Sequence, residues 1–205
     1  MAAAALVIFG LVFFLGFGAR VALQLRRTGS TGIRVPVTDA SPVERLAVAC
    51  LALAALIGVL APALQLGGAS EPIPALDRGV LQAVGVVLGF AGACLIFAAQ
   101  LAMGDSWRIG VDAEERTALV TGGPFGLVRN PVYSMVMLAY LGAVLMLGSA
   151  LIVAGFLLLL VGMQVQVRAV EEPYLAAVHG EEYAAYAATV GRFLPRIAHS
   201  SRPPP

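Results

Sequence analysis

The sequence predicts an all-α integral membrane protein: five transmembrane helices, a tight helical hairpin made by spans four and five, and a cytoplasmic C-terminal helix. Three observations carry this prediction. Of 205 residues, 60 % are hydrophobic and only 12 % are charged, whereas a soluble domain carries about 25 % charged residues. The apolar residues gather in five runs that cross, or nearly cross, about 30 Å of hydrocarbon at about 1.5 Å per helical residue. All thirteen basic residues are arginine, and twelve of them fall on one side once the runs alternate in direction.

The first run, residues 2–19, has no positive n-region and is too long for a signal-peptide core, so it reads as a retained span. The second, 46–66, carries Pro62 near its far end, and the third is 80–103. The fourth, 133–147, is the shortest at roughly 23 Å. The fifth is 150–167. Only Gly148 and Ser149 separate the last two, which forces a tight antiparallel hairpin. Residues 1–103 therefore form three helices with the N-terminus outside, 104–196 form the chemical core, and 197–205 form a disordered tail.

Arg20, Arg26, Arg27, Arg34 and Arg45 lie between spans one and two. Arg108, Arg116 and Arg129 lie between three and four, and Arg168, Arg192, Arg196 and Arg202 follow span five; Arg78 alone is on the other side. The positive-inside tendency assigns the arginine-rich side to the cytoplasm, and the alanine and arginine usage points to a bacterial inner (plasma) membrane. A net charge of +1 excludes a basic field for nucleic acid. Cys50 and Cys94 sit in apolar runs and read as small buried hydrophobes, not as a disulfide or a metal pair. Gln82, Gln100, Gln164 and Gln166 read as interhelical hydrogen-bonding groups, and Trp107 as an interfacial anchor or a wall of the site.

The polar segments 104–132 and 168–205 emerge on the same face and are joined by the hairpin, so they must lie close together. "GPFGLVRNPVYS", 123–134, is rigid and polar where the rest of the chain is apolar. Gly122, Gly123 and Pro124 make a turn, Pro131 suits the first turn of the fourth helix, and Asn130 stands at its N-cap. In "RAVEEPYLAAVHGEEYAAYAATVGRFLPR", 168–196, Arg168, Glu171, Glu172 and Leu175 share one helical face. Charges at the end of an apolar helix are costly and point to function. Tyr183 and Tyr186 follow at helical spacing, as an interface belt or as ligand contacts.

These two stretches, with "GDSWRIGV" at 104–111 upstream, resemble the C-terminal half of the isoprenylcysteine carboxyl methyltransferase family and its phospholipid-methyltransferase relatives. The resemblance covers 104–196. It implies an integral membrane enzyme that uses S-adenosylmethionine bound in a cytoplasmic pocket. Carried over by position, it implies Gly123, Pro124, Arg129, Asn130, Pro131, Tyr133, Glu172 and Tyr183 as cofactor-binding residues, and Arg168, Glu171 and Glu172 as catalytic ones. Asn130 stands where many members have histidine; it can hydrogen-bond but cannot titrate. Phe125 stands where tyrosine is common.

Methyl transfer from a sulfonium needs in-line geometry and no metal, and oriented approach alone is worth roughly 7–11 kcal/mol. With a carboxylate acceptor, opposite charges cancel in the transition state, which a low-dielectric pocket assists. Arg168 or Arg129 can grip such a carboxylate. An amine acceptor needs a base, for which Glu172 and His179 are candidates. The expected partners are a lipophilic small molecule or prenylated substrate and membrane lipids. Two other classes stand beside this one: an NADPH-dependent membrane reductase of sterol or enone type, whose chains usually carry more spans, and a non-catalytic membrane protein that keeps the fold.

Overall fold

A computed structural model describes residues 1–33, 41–107 and 118–196. The tail 197–205, together with Arg34, Arg108 and Arg116, lies outside the described residues. Four helices are long and apolar enough to cross a membrane: α1 (Ala2–Thr28), α2 (Pro42–Leu66), α3 (Gly79–Ala102) and the helix Ala150–Thr189. A shorter apolar helix, α4 (Pro131–Leu147), packs among them. The long last helix divides into α5 (Ala150–Gln166), a π-helical turn Val167–Glu171, and α6 (Glu172–Thr189). Large apolar side chains such as Val7, Leu56, Val80 and Phe90 point outward, the arrangement of a bundle solvated by lipid.

With lipid outside, apolar burial does not drive helices together; close backbone packing does. Gly85, Gly89 and Gly92 on α3 face Ala139 and Gly142 on α4 so tightly that a Cβ on Gly142 would lie 2.5 Å from the Gly89 amide nitrogen. On the other side of α4, the Tyr140 hydroxyl donates to the Ala54 carbonyl at 2.9 Å, and its ring meets Phe9 edge-on at 5.3 Å. Gly148, at φ +60°, turns the α4–α5 hairpin as expected, and its carbonyl accepts from Ile73 N at 2.9 Å. Gln65 Nε2 donates to the Leu147 carbonyl at 3.3 Å.

At the opposite end the helices run further than hydropathy marks. α2 starts at Pro42 because Ser41 and Glu44 form a capping box, each side chain accepting from the other's backbone N–H. α1 continues to Thr28, ended by Gly29 in the left-handed region. Arg20 is therefore part of the helix, not of a loop, and is fully buried. Its guanidinium stacks over Trp107 at 4.6 Å and donates to the Gly104 carbonyl at 2.5 Å. Trp107 is accordingly buried, not an exposed interfacial anchor. Gln100 follows the interhelical expectation, Nε2 donating to the Gly16 carbonyl at 3.0 Å. Cys50 and Cys94 are both free, but Cys94 is exposed on α3 where burial was expected.

Candidate active site

The loop before α4 and the chain's last described segment are laced together. Gly123, at φ +58°, opens a single 3-10 turn, Gly123–Gly126, with Pro124 at its start and Phe125 buried. The chain then runs beside residues 190–193, with Val128 and Gly191 forming a parallel bridge. Arg129 N donates to the Gly191 carbonyl at 2.7 Å and Asn130 N to the Arg192 carbonyl at 3.0 Å. The Ser134 hydroxyl donates to the Phe193 carbonyl at 2.7 Å. Pro131 begins α4 as expected, but Asn130 does not cap it with its side chain. Its Nδ2 instead donates to the Arg192 carbonyl at 3.2 Å.

Arg129 reaches across this seam. One guanidinium nitrogen donates to the carbonyls of Ala187 and Val190 at 2.8 and 2.6 Å, closing the C-terminal end of α6. The other donates to Glu172 Oε1 at 2.8 Å. Arg192 approaches the same carboxylate as a fork, Nε to Oε1 at 2.8 Å and a terminal nitrogen to Oε2 at 2.6 Å. Burial by itself would raise the Glu172 carboxyl. The hydrogen bonds and charges of Arg192 and Arg129 outweigh burial and hold it below the ordinary carboxylate range.

Beyond the apolar length of α5, Glu171 accepts from the Tyr133 hydroxyl of α4 and from Gln166 Nε2, the latter at 3.4 Å. Burial, opposed by these hydrogen bonds, leaves the Glu171 carboxyl raised. Tyr183 is buried, its ring 6.3 Å from that of Tyr186. The Tyr186 hydroxyl donates to the Phe125 carbonyl at 2.7 Å, pinning α6 to the Gly-Pro turn. α6 itself bends at Gly180, where φ +51° and ψ −122° break the helix.

The structure thus brings together Arg129, Asn130, Pro131, Tyr133, Glu171, Glu172 and Tyr183, with Gly123 and Pro124 in the turn tied to them. Arg168 is not brought in. It is exposed, donating Nε to Gln164 Oε1 at 2.9 Å. The π-helical turn Val167–Glu171 is the reason: its i→i+5 spacing breaks the i, i+3, i+4 phase that put Arg168 on the face of Glu171 and Glu172. The cation that forks the Glu172 carboxylate is Arg192. It lies in "GRFLPR", inside the stretch that carries the family resemblance, but a 20-residue separation from Glu172 gives no sign that the two side chains meet. Among the described residues, no three His, Cys, Asp or Glu side chains gather as a metal site would require.

A model of the phospholipid methyltransferase family matches residues 80–182, which is half of the chain and holds Arg129, Asn130, Tyr133, Glu171 and Glu172. The chain belongs to the phospholipid methyltransferase family. As a member it is an integral membrane methyltransferase, and the family match runs from α3 into α6, ending just before Tyr183 and short of Arg192. Among solved structures, this methyltransferase is similar to a eukaryotic intramembrane Ras methyltransferase, isoprenylcysteine carboxyl methyltransferase. The TM-score is 0.59 at 22 % identity, covering 95 % of this chain and 68 % of that one. At that identity the likeness establishes a shared membrane fold. No curated protein matches this methyltransferase.

Proposed function

We propose that this protein transfers a methyl group from S-adenosylmethionine to the carboxylate of a lipophilic acceptor, at a site on the cytoplasmic face of a bacterial inner membrane. The observation that carries the proposal is the Arg129–Glu172–Arg192 cluster at the seam between the Gly-Pro turn and α6. A cofactor with an ammonium, a carboxylate, ribose hydroxyls and an aromatic base needs groups of both signs and an aromatic wall. The residues present fit. Arg129 Nε is buried with no hydrogen-bond partner. The three contacts to Glu172 use three of about four acceptor positions on a carboxylate, and Tyr183 lies beside them. Arg129, Asn130, Pro131, Tyr133, Glu172 and Tyr183 would hold the cofactor, with Gly123 and Pro124 shaping the turn that carries them. When bound, the cofactor supplies a methyl group activated by its sulfonium.

The chain's own residues would then orient the two reactants. Glu172, held ionised by two guanidiniums, is a weak base, which suits a carboxylate acceptor that has no proton to lose. Arg129 is occupied by Glu172 and two carbonyls; exposed Arg168, just past the apolar end of α5 and touching Gln164 through its Nε, would take the acceptor's carboxylate. The isoprenylcysteine carboxyl methyltransferase named above acts on such a group and supports this choice. The family match favours one second acceptor, a phospholipid amine; Glu171, raised by its burial, would then take the amine's proton.

Calorimetry on the detergent-solubilised protein tests the cofactor: S-adenosylhomocysteine binding without NADPH binding is the expected result, and NADPH binding alone would make the protein a reductase. Labelled methyl transfer to a prenylated cysteine, compared with phosphatidylethanolamine vesicles, identifies the acceptor. Labelling of neither would remove the enzymatic proposal.

A further inference from the structure

We propose that Arg192 is a positioning residue of the site, fixing the Glu172 carboxylate against Arg129 so that its remaining acceptor position is presented to the cofactor; this role rests on the cofactor site proposed above. Arg192 lies beyond the residues matched by the family model. Arg129 alone reaches Glu172 through a single nitrogen, on Oε1, which leaves the carboxylate free to turn about its last bond. The two parallel hydrogen bonds from Arg192 engage both oxygens and remove that freedom.

The backbone that carries Arg192 is itself held at three consecutive carbonyls. Gly191 accepts from Arg129 N, Arg192 from both donors of Asn130, and Phe193 from Ser134. The guanidinium therefore starts from a fixed point, and its side chain is only 26 % exposed. The loop before α4 thereby sets the carboxylate of α6 through the strip of chain between them, and the seam acts as one unit.

Positioning of this kind has an electrostatic signature. The groups facing Glu172 are Arg129 from the loop, Arg192 from the strip, Glu171 from the preceding turn and Tyr183 from α6. With a cofactor held by the ionised carboxylate, affinity stays level at neutral pH and falls as pH drops through the Glu172 titration. Removing the Arg192 charge moves that fall to higher pH.

The test is S-adenosylhomocysteine calorimetry across pH on the full-length protein, its Arg192→Gln variant and its Arg192→Lys variant, with thermal unfolding measured alongside. Arg192→Gln is expected to weaken binding at neutral pH by about tenfold and to shift the acid limb upward. Arg192→Lys, which keeps the charge but not the fork, is expected to lose affinity with a smaller shift. A folded Arg192→Gln protein with unchanged affinity and an unchanged limb overturns the proposal. Should Arg192→Gln not fold, the same two readouts on Arg192→Lys decide. Absence of binding by the unsubstituted protein overturns the cofactor site and, with it, the role of Arg192; binding by the unsubstituted protein with no effect of Arg192 overturns this inference alone.

Discussion

Asn130 donates both its backbone N–H, at 3.0 Å, and its side-chain amide, at 3.2 Å, to the single carbonyl of Arg192. A residue at the head of α4 thus serves the far end of the chain instead of its own helix. Pro131 helps to make this possible, because its missing N–H leaves one fewer orphan donor at that terminus. A side-chain donor at position 130 therefore adds a second hydrogen bond to the seam, whether or not the group can titrate.

Asn130→Asp places acceptor oxygens against an acceptor carbonyl. It should destabilise the protein by about 1–3 kcal/mol, the cost of a half-buried hydrogen bond turned repulsive. Asn130→His retains a ring N–H and should be milder. Thermal unfolding in detergent reads both, and an Asp variant as stable as the His variant would show that the amide is dispensable.

The contact between α3 and α4 gives a second prediction. A methyl group on Gly142 meets the backbone of Gly89 at 2.5 Å and of Gly85 at 2.6 Å. Neither neighbour is a flexible side chain, so the helices must move apart. Gly142→Ala should cost about 1–3 kcal/mol, as overpacking does, whereas Gly10→Ala, with nothing within 4 Å, should be close to neutral. Equal melting temperatures for the two variants would contradict the close approach.

Much of this architecture was legible in the sequence. Five apolar runs mark the five apolar helices, four of them long enough to cross a membrane where five spans are expected; Gly148-Ser149 marks the hairpin, and Arg129 meets Glu172. Ser41-Pro-Val-Glu44 carries an open capping-box signature that extends α2 beyond its apolar run. Other features had no local signal. The π-helical turn at Val167–Glu171 is a change of hydrogen-bond register, and no residue type announces it; regular helical phase sets Arg168 on one face with Glu171 and Glu172, whereas it is exposed against Gln164. Arg20 follows the end of the first apolar run, because hydropathy ends before the helix does. Its place in the interior depends on Trp107, far along the chain. Arg192 reaches Glu172 only because the chain leaves α6 at Val190 and turns along the loop before α4.

Arg168 separates cofactor binding from acceptor binding. It touches Gln164 and stands outside the Glu172 cluster, so its removal should spare the cofactor. Arg168→Ala is expected to raise KM for a carboxylate acceptor about tenfold while S-adenosylhomocysteine affinity stays within about twofold. Arg129→Ala should do the reverse, weakening S-adenosylhomocysteine binding. A joint loss in Arg168→Ala would place this arginine at the cofactor after all.

The two adjacent glutamates should respond to acid with opposite signs. Glu172 is lowered: burial alone would raise it, but its bonds to Arg192 and Arg129 prevail. Its contribution to stability is therefore complete above the unfolded carboxylate value of about 4.3 and is lost as pH falls through the folded value. Glu171 is raised, chiefly by burial. In the folded protein its ionised form is disfavoured, so protonation through the ordinary range restores stability there. Glu172→Gln isolates the first effect, because glutamine mimics the protonated acid. The unsubstituted protein should melt well above Glu172→Gln at neutral pH, and the gap should close steadily below about pH 4. Glu171→Gln should show the opposite pattern, gaining relative stability at neutral pH and losing that gain in acid. Thermal unfolding in detergent from neutral to acidic pH measures both gaps. A gap for Glu172→Gln that does not change with pH would mean that the two arginines do not hold this carboxylate in its ionised form.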